Sequence, residues 1–483
     1  MAGIGFELKK LFKGKGFLSS IKAYLYSALV SVGPFVLCVI MIVSIQLFLN
    51  FMDVPLKEKE LFIATVVYTF IFAQIITSGF TMIITRFISD MLYSKKLGYI
   101  QPSLYGIISI VTPIASIPAI IFLWKSPLPI EIKLVSYLFF MELIIVYLIM
   151  VYLTALKDYM RIVKSFIWGV LIALTLAFIF IKYTGLNKVF TMLLSMDIGF
   201  LIIISLLITY LKKFFGASEE KSSNKYYSFI AYFDKYISLF LISFLYTMAL
   251  YSHNFIFWSS NLGVKIASTY VFAPTYDVPT FYAFLSIIPS MVVFVISVET
   301  SFYEKYRNYY SLITGKGSFT EIDDAQKSMT RVLWAEIRNL MEIQILFSII
   351  FIVAAFYLFP RMGLTRFSFD IFMLLILGAY CDIILLIIIL ILLYFEDRKG
   401  ALVISIIFLI TSVLFTSGTL ILGETTYGLG LFLSTFFTLI AGFIRLRIYL
   451  DNIHYHTFLG QPVIYREIKG VFGRLVDTIY KSR

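Results

Sequence analysis

Charge is scarce in this sequence. Asp, Glu, Lys and Arg make up 14% of its 483 residues, where an ordinary soluble domain carries about 25%. Hydrophobic residues reach 60% and run along the whole length. Water cannot be the solvent for most of such a surface, so the chain is expected in a bilayer. Cysteine is nearly absent. Cys38 and Cys381 both fall inside apolar runs and read as small buried hydrophobes, so neither a disulfide framework nor a Cys-based metal site is expected. The three histidines, His253, His454 and His456, form no catalytic constellation. No phosphate loop of the GxxxxGK[ST] kind and no HExxH is present. Asp323 and Asp324 are adjacent, but they read as a solvated helix start rather than half of a metal site. No enzyme activity, metal or cofactor is expected. A cleavable signal peptide is not apparent: no small-residue cleavage site follows a short apolar core, and the first apolar run reads as a retained span.

The net charge of +12 would suit nucleic acid if it were gathered on one face. Instead the basic residues sit in short loops between apolar runs, which argues against a nucleic-acid partner and for orientation in a membrane. Twelve runs are long enough to span. They cover 23–50, 61–88, 104–124, 134–154, 166–183 and 189–211, then 237–259, 281–298, 340–359, 369–395, 401–422 and 429–450. They are continuous rather than alternating and about twice the length of a barrel strand, so spanning strands are excluded. The fold class is an all-α polytopic membrane protein of twelve transmembrane helices in two six-helix halves.

Placing the N-terminus in the cytoplasm puts 31 of the 40 Lys and Arg on the inner side. This asymmetry predicts both termini inside and supports the even helix count. The organisation expected is an N-terminal half over 1–211 with an amphipathic start, a cytoplasmic connector over 212–236, a C-terminal half over 237–450 and a cytoplasmic tail over 451–483. The connector begins as a polar, linker-like stretch. Its second part, KYYSFIAYFDKY, reads as an interfacial amphipathic helix. The basic, aromatic N-terminus has the same character and is expected to rest on an anionic leaflet of the bilayer.

Ionisable groups at membrane depth are costly and mark function by default. Glu142, Asp197 and Asp382 are therefore candidates for the translocation path or for carrying a proton or cation. The alternative for each is an interhelical hydrogen bond. His253 and Gln74 lie within spans and carry the same two readings. Arg86 and Arg445 lie near span ends, where snorkelling to headgroups accounts for them; Arg86 also has a possible contact with a sugar or phosphate. Gly33 with Pro34, and Pro289, are helix-break candidates, since proline removes a backbone donor and kinks a helix. Such breaks occur at central sites in transporters. The run over 299–310 mixes aromatic and charged residues, and Tyr303, Lys305, Tyr306 and Arg307 are candidates for docking a cytoplasmic partner.

Two six-helix halves joined by a connector resemble the multidrug/oligosaccharidyl-lipid/polysaccharide exporter superfamily. The opening MAGIGFEL, the basic stretch after it, Gly33-Pro34 early in the first span and FYEKYRNYY at 302–310 are similar to the Pel exopolysaccharide transporter family within it. The resemblance spans the chain by helix number and length. It implies a central cavity between the halves and export of a nascent polysaccharide rich in N-acetylgalactosamine across the bacterial cytoplasmic membrane. It also implies a cytosolic glycosyltransferase as partner, with other membrane subunits of a synthase complex, one of them a cyclic di-GMP sensor. It assigns no role to Asp197, Asp382 or Glu142. Three other readings stay open: a cation-coupled multidrug antiporter, a flippase for lipid-linked oligosaccharides, and a membrane-embedded transferase. The second would need cationic groups at mid-span, and none is there. The third would need a catalytic constellation.

Overall fold

The computed structural model describes residues 17–154, 159–216, 225–297, 301–315, 317–458 and 470–481. The amphipathic N-terminal stretch, the linker-like 217–224 and residues 459–469 of the tail lie outside them. A backbone in lipid must satisfy its own hydrogen bonds, and a continuous apolar run does so as a helix. Among the described residues, twelve helical stretches are long and apolar enough to cross a membrane.

The first six spans are carried by α1 (Phe17–Phe51), α2 (Leu56–Tyr93), α3 (Ile100–Trp124), α4 (Ile130–Thr154), α5 (Tyr159–Tyr183) and α6 (Lys188–Gly216). The seventh is α7 (Tyr232–Trp258). A short hairpin follows, β1 (Val264–Ile266) paired antiparallel with β2 (Tyr270–Phe272). The eighth span is two helices, α8 (Pro274–Leu285) and α9 (Ile288–Ser297). Then come α10 (Tyr303–Thr314), α11 (Phe319–Arg361), α12 (Arg366–Tyr394), α13 (Arg398–Leu422) and α14 (Leu429–Asp451). The short α15 (Ile453–Phe458) and α16 (Val471–Lys481) close the chain.

The described residues fall into two compact units. One, the N-unit, comprises Gly33–Tyr251, Gly263–Phe272 and Arg466–Arg483. The other, the C-unit, comprises Met1–Val32, Ser252–Leu262 and Ala273–Tyr465. Both α1 and α7 are therefore shared, α1 at Val32/Gly33 and α7 at Tyr251/Ser252. In the N-unit, α4 and α5 both pack on α6, and α2 lies against α4. Small residues let α5 and α6 approach: a Cβ on Gly199 would press on Ala173, and one on Gly169 on the Gly199 carbonyl. Close approach at small residues is how helices associate where lipid offers no hydrophobic drive. In the C-unit, α14 packs on α12 and α13, and α8 packs on α12. Val292 and Ile296 of α9 are covered by Tyr26, Ala28 and Val32 from the first part of α1.

Four local expectations are corrected. First, α1 stays helical through Gly33 and Pro34; proline removes one donor there, but the flanking rungs hold the helix. Second, the stretch between the eighth and ninth apolar runs, which hydropathy leaves without an element, is mostly helical over its described residues 301–315 and 317–339. Ser318 caps α11 by accepting from the Glu321 N–H while the Glu321 carboxylate accepts from the Ser318 N–H, a reciprocal capping box. The helix then runs 43 residues without a stop signal until its far end. Third, KYYSFIAYFDKY is not a free-standing helix but a short helical segment joined to the seventh span across a kink. It forms a tight turn over Ser228–Ala231 and the first residues of α7, with non-helical backbone at Tyr236. Fourth, the eighth span begins at Pro274, because Pro fits the first turn of a helix, where its missing donor costs nothing.

Candidate functional site

The buried acids of the N-unit are short of hydrogen-bond partners. Glu142 sits midway along α4 and Asp197 in the third turn of α6, and both are at most 5% exposed. Neither oxygen of Asp197 has a hydrogen-bond partner, and neither does Oε2 of Glu142. The helices that carry them, α4 and α6, pack on each other. Beside them Phe139 of α4 meets Phe200 of α6 edge to face, with ring centroids 5.4 Å apart.

Elsewhere in the N-unit, Gln74 on α2 accepts a hydrogen bond from the Tyr251 hydroxyl at 2.6 Å. Arg86, near the end of α2, pairs with Asp90 at 3.3 Å and lies over the Tyr236 ring, 5.1 Å from its centroid. The hairpin is pinned to α2 and to the end of α3. The Tyr68 hydroxyl donates to the Val271 carbonyl at 2.7 Å and accepts from its N–H at 2.9 Å. Ser126 and Thr269 share a hydrogen bond at 2.7 Å. The burial of Tyr270 pushes its hydroxyl above the usual phenol range, so it stays a neutral donor.

The C-unit contains the opposite kind of acid. Asp277, in the first turn of α8, accepts from Asn254 Nδ2 at 2.7 Å, Trp258 Nε1 at 2.7 Å and the Ala273 N–H at 2.8 Å. His253 Nδ1 lies 3.0 Å from the Tyr276 hydroxyl, and Tyr276 stacks on Phe257 with centroids 3.8 Å apart. His253 and Asn254 thus belong to one buried polar node that ties α7 to α8. Asp382 is buried in α12, next to Cys381. Cys38 and Cys381 are both buried free thiols.

Pro289 occupies the second position of α9, after the break at Ser286 and Ile287. Gln344 of α11 donates to the Ser286 carbonyl at 3.4 Å, satisfying an acceptor at the broken turn. Arg445 does not snorkel. Its guanidinium makes two bonds to the buried Asp397, Nε to Oδ2 at 2.7 Å and Nη2 to Oδ1 at 2.9 Å. Asp397 also caps α13 through the Gly400 N–H at 3.0 Å. On α10, Tyr306 turns inward and packs on Tyr394 and Phe395. Burial there pushes its hydroxyl well above the usual phenol range. Tyr303 is half-buried, whereas Lys305 and Arg307 are exposed. Asp323 pairs with Lys327 at 2.6 Å near the start of α11. Among the described residues no group of three or more His, Cys, Asp or Glu is placed to hold a metal.

Asp277, Asp397 and Gln344 escape a reading of the sequence. Asp277 lies in a stretch too polar to score as a span, and Asp397 looks like a loop acid. Gln344 lies just inside a long apolar run and carries no charge to mark it. Pro274, which sits in the first turn of α8, is a signal that could have marked a helix start beside Asp277.

The profile of the PelG family, described as "Putative exopolysaccharide Exporter (EPS-E)", matches residues 1–458. No curated protein matches the chain. Among solved structures the chain is similar to MATE transporters. An outward-facing MATE transporter of the MOP superfamily is 13% identical, with a TM-score of 0.55 over 94% of this chain and 99% of that one. ClbM, a MATE transporter in complex with Rb+, is 14% identical, with a TM-score of 0.56 over 89% and 96%. A MATE transporter in the straight conformation is 13% identical, with a TM-score of 0.55 over 94% and 99%. At such identities the likeness establishes the fold: two halves of the MATE kind.

Proposed function

Because the chain belongs to the PelG family of exopolysaccharide exporters, we propose that it moves a nascent Pel-like polysaccharide, rich in N-acetylgalactosamine, out across the bacterial cytoplasmic membrane. It is a multi-pass membrane exporter, and family and fold are those of a transporter rather than an enzyme. The observation that carries the reading is the extent of the family match, which takes in all twelve spans.

In this reading the termini are cytoplasmic, as the distribution of Lys and Arg favours. The polymer arrives from a cytosolic glycosyltransferase working with other membrane subunits, including a cyclic di-GMP sensor. The exposed Lys305 and Arg307 on α10 offer the synthase a basic face. Polar aromatic pairs such as Tyr251 with Gln74 suit sugars, which take hydrogen bonds at their rims and stack on rings at their apolar faces.

Deleting the gene tests the reading. Secreted N-acetylgalactosamine polymer and biofilm are expected to fall to background, and unchanged polymer would sink it. Sensitivity to cationic dyes in the same strain, with polymer unchanged, would favour a drug antiporter instead. Cysteine labelling tests orientation: a cysteine at Ser268 is expected to label from outside and one at Ser222 only after permeabilisation. The reverse pattern would overturn the topology.

A further inference from the structure

We propose that the outward face of α16 is a lipid-binding face, lying in the headgroup layer of the bilayer and held best by anionic lipid. The helix has two unlike sides. Gly473, Val476, Asp477 and Tyr480 are buried or half-buried. This side is fastened to the end of the connector, where Asp234 accepts from the Phe472 and Gly473 N–H groups and the Tyr480 hydroxyl accepts from the Tyr227 N–H. On the other side Val471, Leu475 and Ile479 follow one another at four-residue intervals, and all three are exposed. Residues so spaced form one stripe along a helix. An amphipathic helix normally turns its apolar stripe inward. Here the stripe faces away from the part of the protein that holds the helix, so it needs a cover from outside the chain.

The position of α16 favours lipid as that cover. The segment that carries it rests against spanning helices. A Cβ on Gly106 would run into the Tyr226 carbonyl, the Tyr227 hydroxyl and Ser109 share a hydrogen bond at 3.2 Å, and Phe229 meets Phe87 edge to face. Gly106 and Ser109 lie in the opening turns of the third span, and Phe87 lies near the end of the second. The level at which α16 sits is therefore the one where the second, third and seventh spans pass from lipid to water, which is the headgroup layer. A folded partner would have to displace headgroups to reach the stripe. Charge points the same way. Residues 466–483 hold five basic residues against two acidic ones. Arg474 is exposed, whereas the acidic Asp477 is half-buried on the inner side. A short basic helix with an apolar stripe binds an anionic interface through both.

Neither the polymer carried nor the orientation of the chain enters this inference, and its test reads lipid contact rather than export. The full chain receives one exposed cysteine, Thr478→Cys, beside Ile479 on the outward side. Cys38 and Cys381 are buried and add no fast background. The protein is placed in nanodiscs of phosphatidylglycerol or of phosphatidylcholine, and its alkylation by a neutral, water-soluble maleimide is timed. Ser94→Cys, exposed just past α2, corrects for any effect of lipid charge on the thiol or the reagent.

After that correction Thr478→Cys is expected to react several-fold more slowly in phosphatidylglycerol than in phosphatidylcholine. Adding Leu475→Gln with Ile479→Gln is expected to abolish the difference. Lys481→Gln and Arg483→Gln are each expected to raise the rate in phosphatidylglycerol roughly fivefold. Equally fast alkylation in both lipids would overturn the proposal, and equally slow alkylation would overturn its preference for anionic lipid. Fast alkylation in both lipids with slow alkylation in discs cut directly from the cell membrane would assign the face to a protein and overturn the proposal as well. The comparison of the two lipids on the single-cysteine chain stands even if the double glutamine variant lets α16 come loose.

Discussion

Asp197 and Asp277 are buried almost equally, at 3% and 8% exposure, yet their surroundings differ completely. Asp277 is met by three N–H donors, whereas Asp197 meets none. An acid whose bonds are all taken is part of the scaffold. It fixes the start of α8, and its charge is spoken for. An acid left bare in the same low dielectric is held there by the packing of its neighbours, and no bond commits its charge. Burial alone does not separate the two cases; the inventory of donors does.

That contrast can be broken by measurement. The largest effect is expected at Asp277. Replacing it by Ala strands the Asn254 amide, the Trp258 indole N–H and the Ala273 N–H, and should cost about 3 kcal/mol of stability. Thermal unfolding in detergent reads this, and an unchanged melting point would remove Asp277 from the scaffold. Arg445→Ala comes next, at about 2 kcal/mol, because it leaves Asp397 buried without its counter-charge. Adding Asp397→Asn should recover part of that loss, and a strictly additive double variant would mean the pair is not coupled. Tyr251→Phe removes one bond to Gln74 and is expected to cost about 0.6 kcal/mol, the usual worth of an interhelical hydrogen bond in a membrane protein. Asp197→Asn should be smallest, within about 0.5 kcal/mol of wild type or stabilising, since it relieves an uncompensated charge. A large loss at Asp197 would place it with Asp277 and erase the distinction.

The twelve spans were legible because lipid asks one simple thing of a helix, a long apolar run, and hydropathy measures that directly. Their extensions were not. The first half of α11 reads as polar because it lies beyond the apolar run, yet a capping box starts a helix there. The broken eighth span was marked by Pro289, but the partner at the break, Gln344, lies 58 residues away from Ser286. Arg445 shows the same limit. Its place near a span end suggested a headgroup contact, whereas Asp397 lies 48 residues earlier and meets it only after folding. Glu142 and Asp197 could each be singled out from one chain position. That they lie on neighbouring helices depends on α4 packing on α6, which no local pattern encodes.

The C-terminal helix α16 sits against the connector's end. Asp234 accepts from the Phe472 and Gly473 N–H groups, at 3.1 and 2.6 Å, and the Tyr480 hydroxyl accepts from the Tyr227 N–H at 2.7 Å. Phe472 meets Phe233 with ring centroids 5.5 Å apart. The family match stops at residue 458, before this helix begins. Anyone shortening the protein to the matched part would remove the piece that buttons down the entry to α7. A bulky fusion at the C-terminus would hang from that same button. Tags and reporters belong elsewhere on this chain.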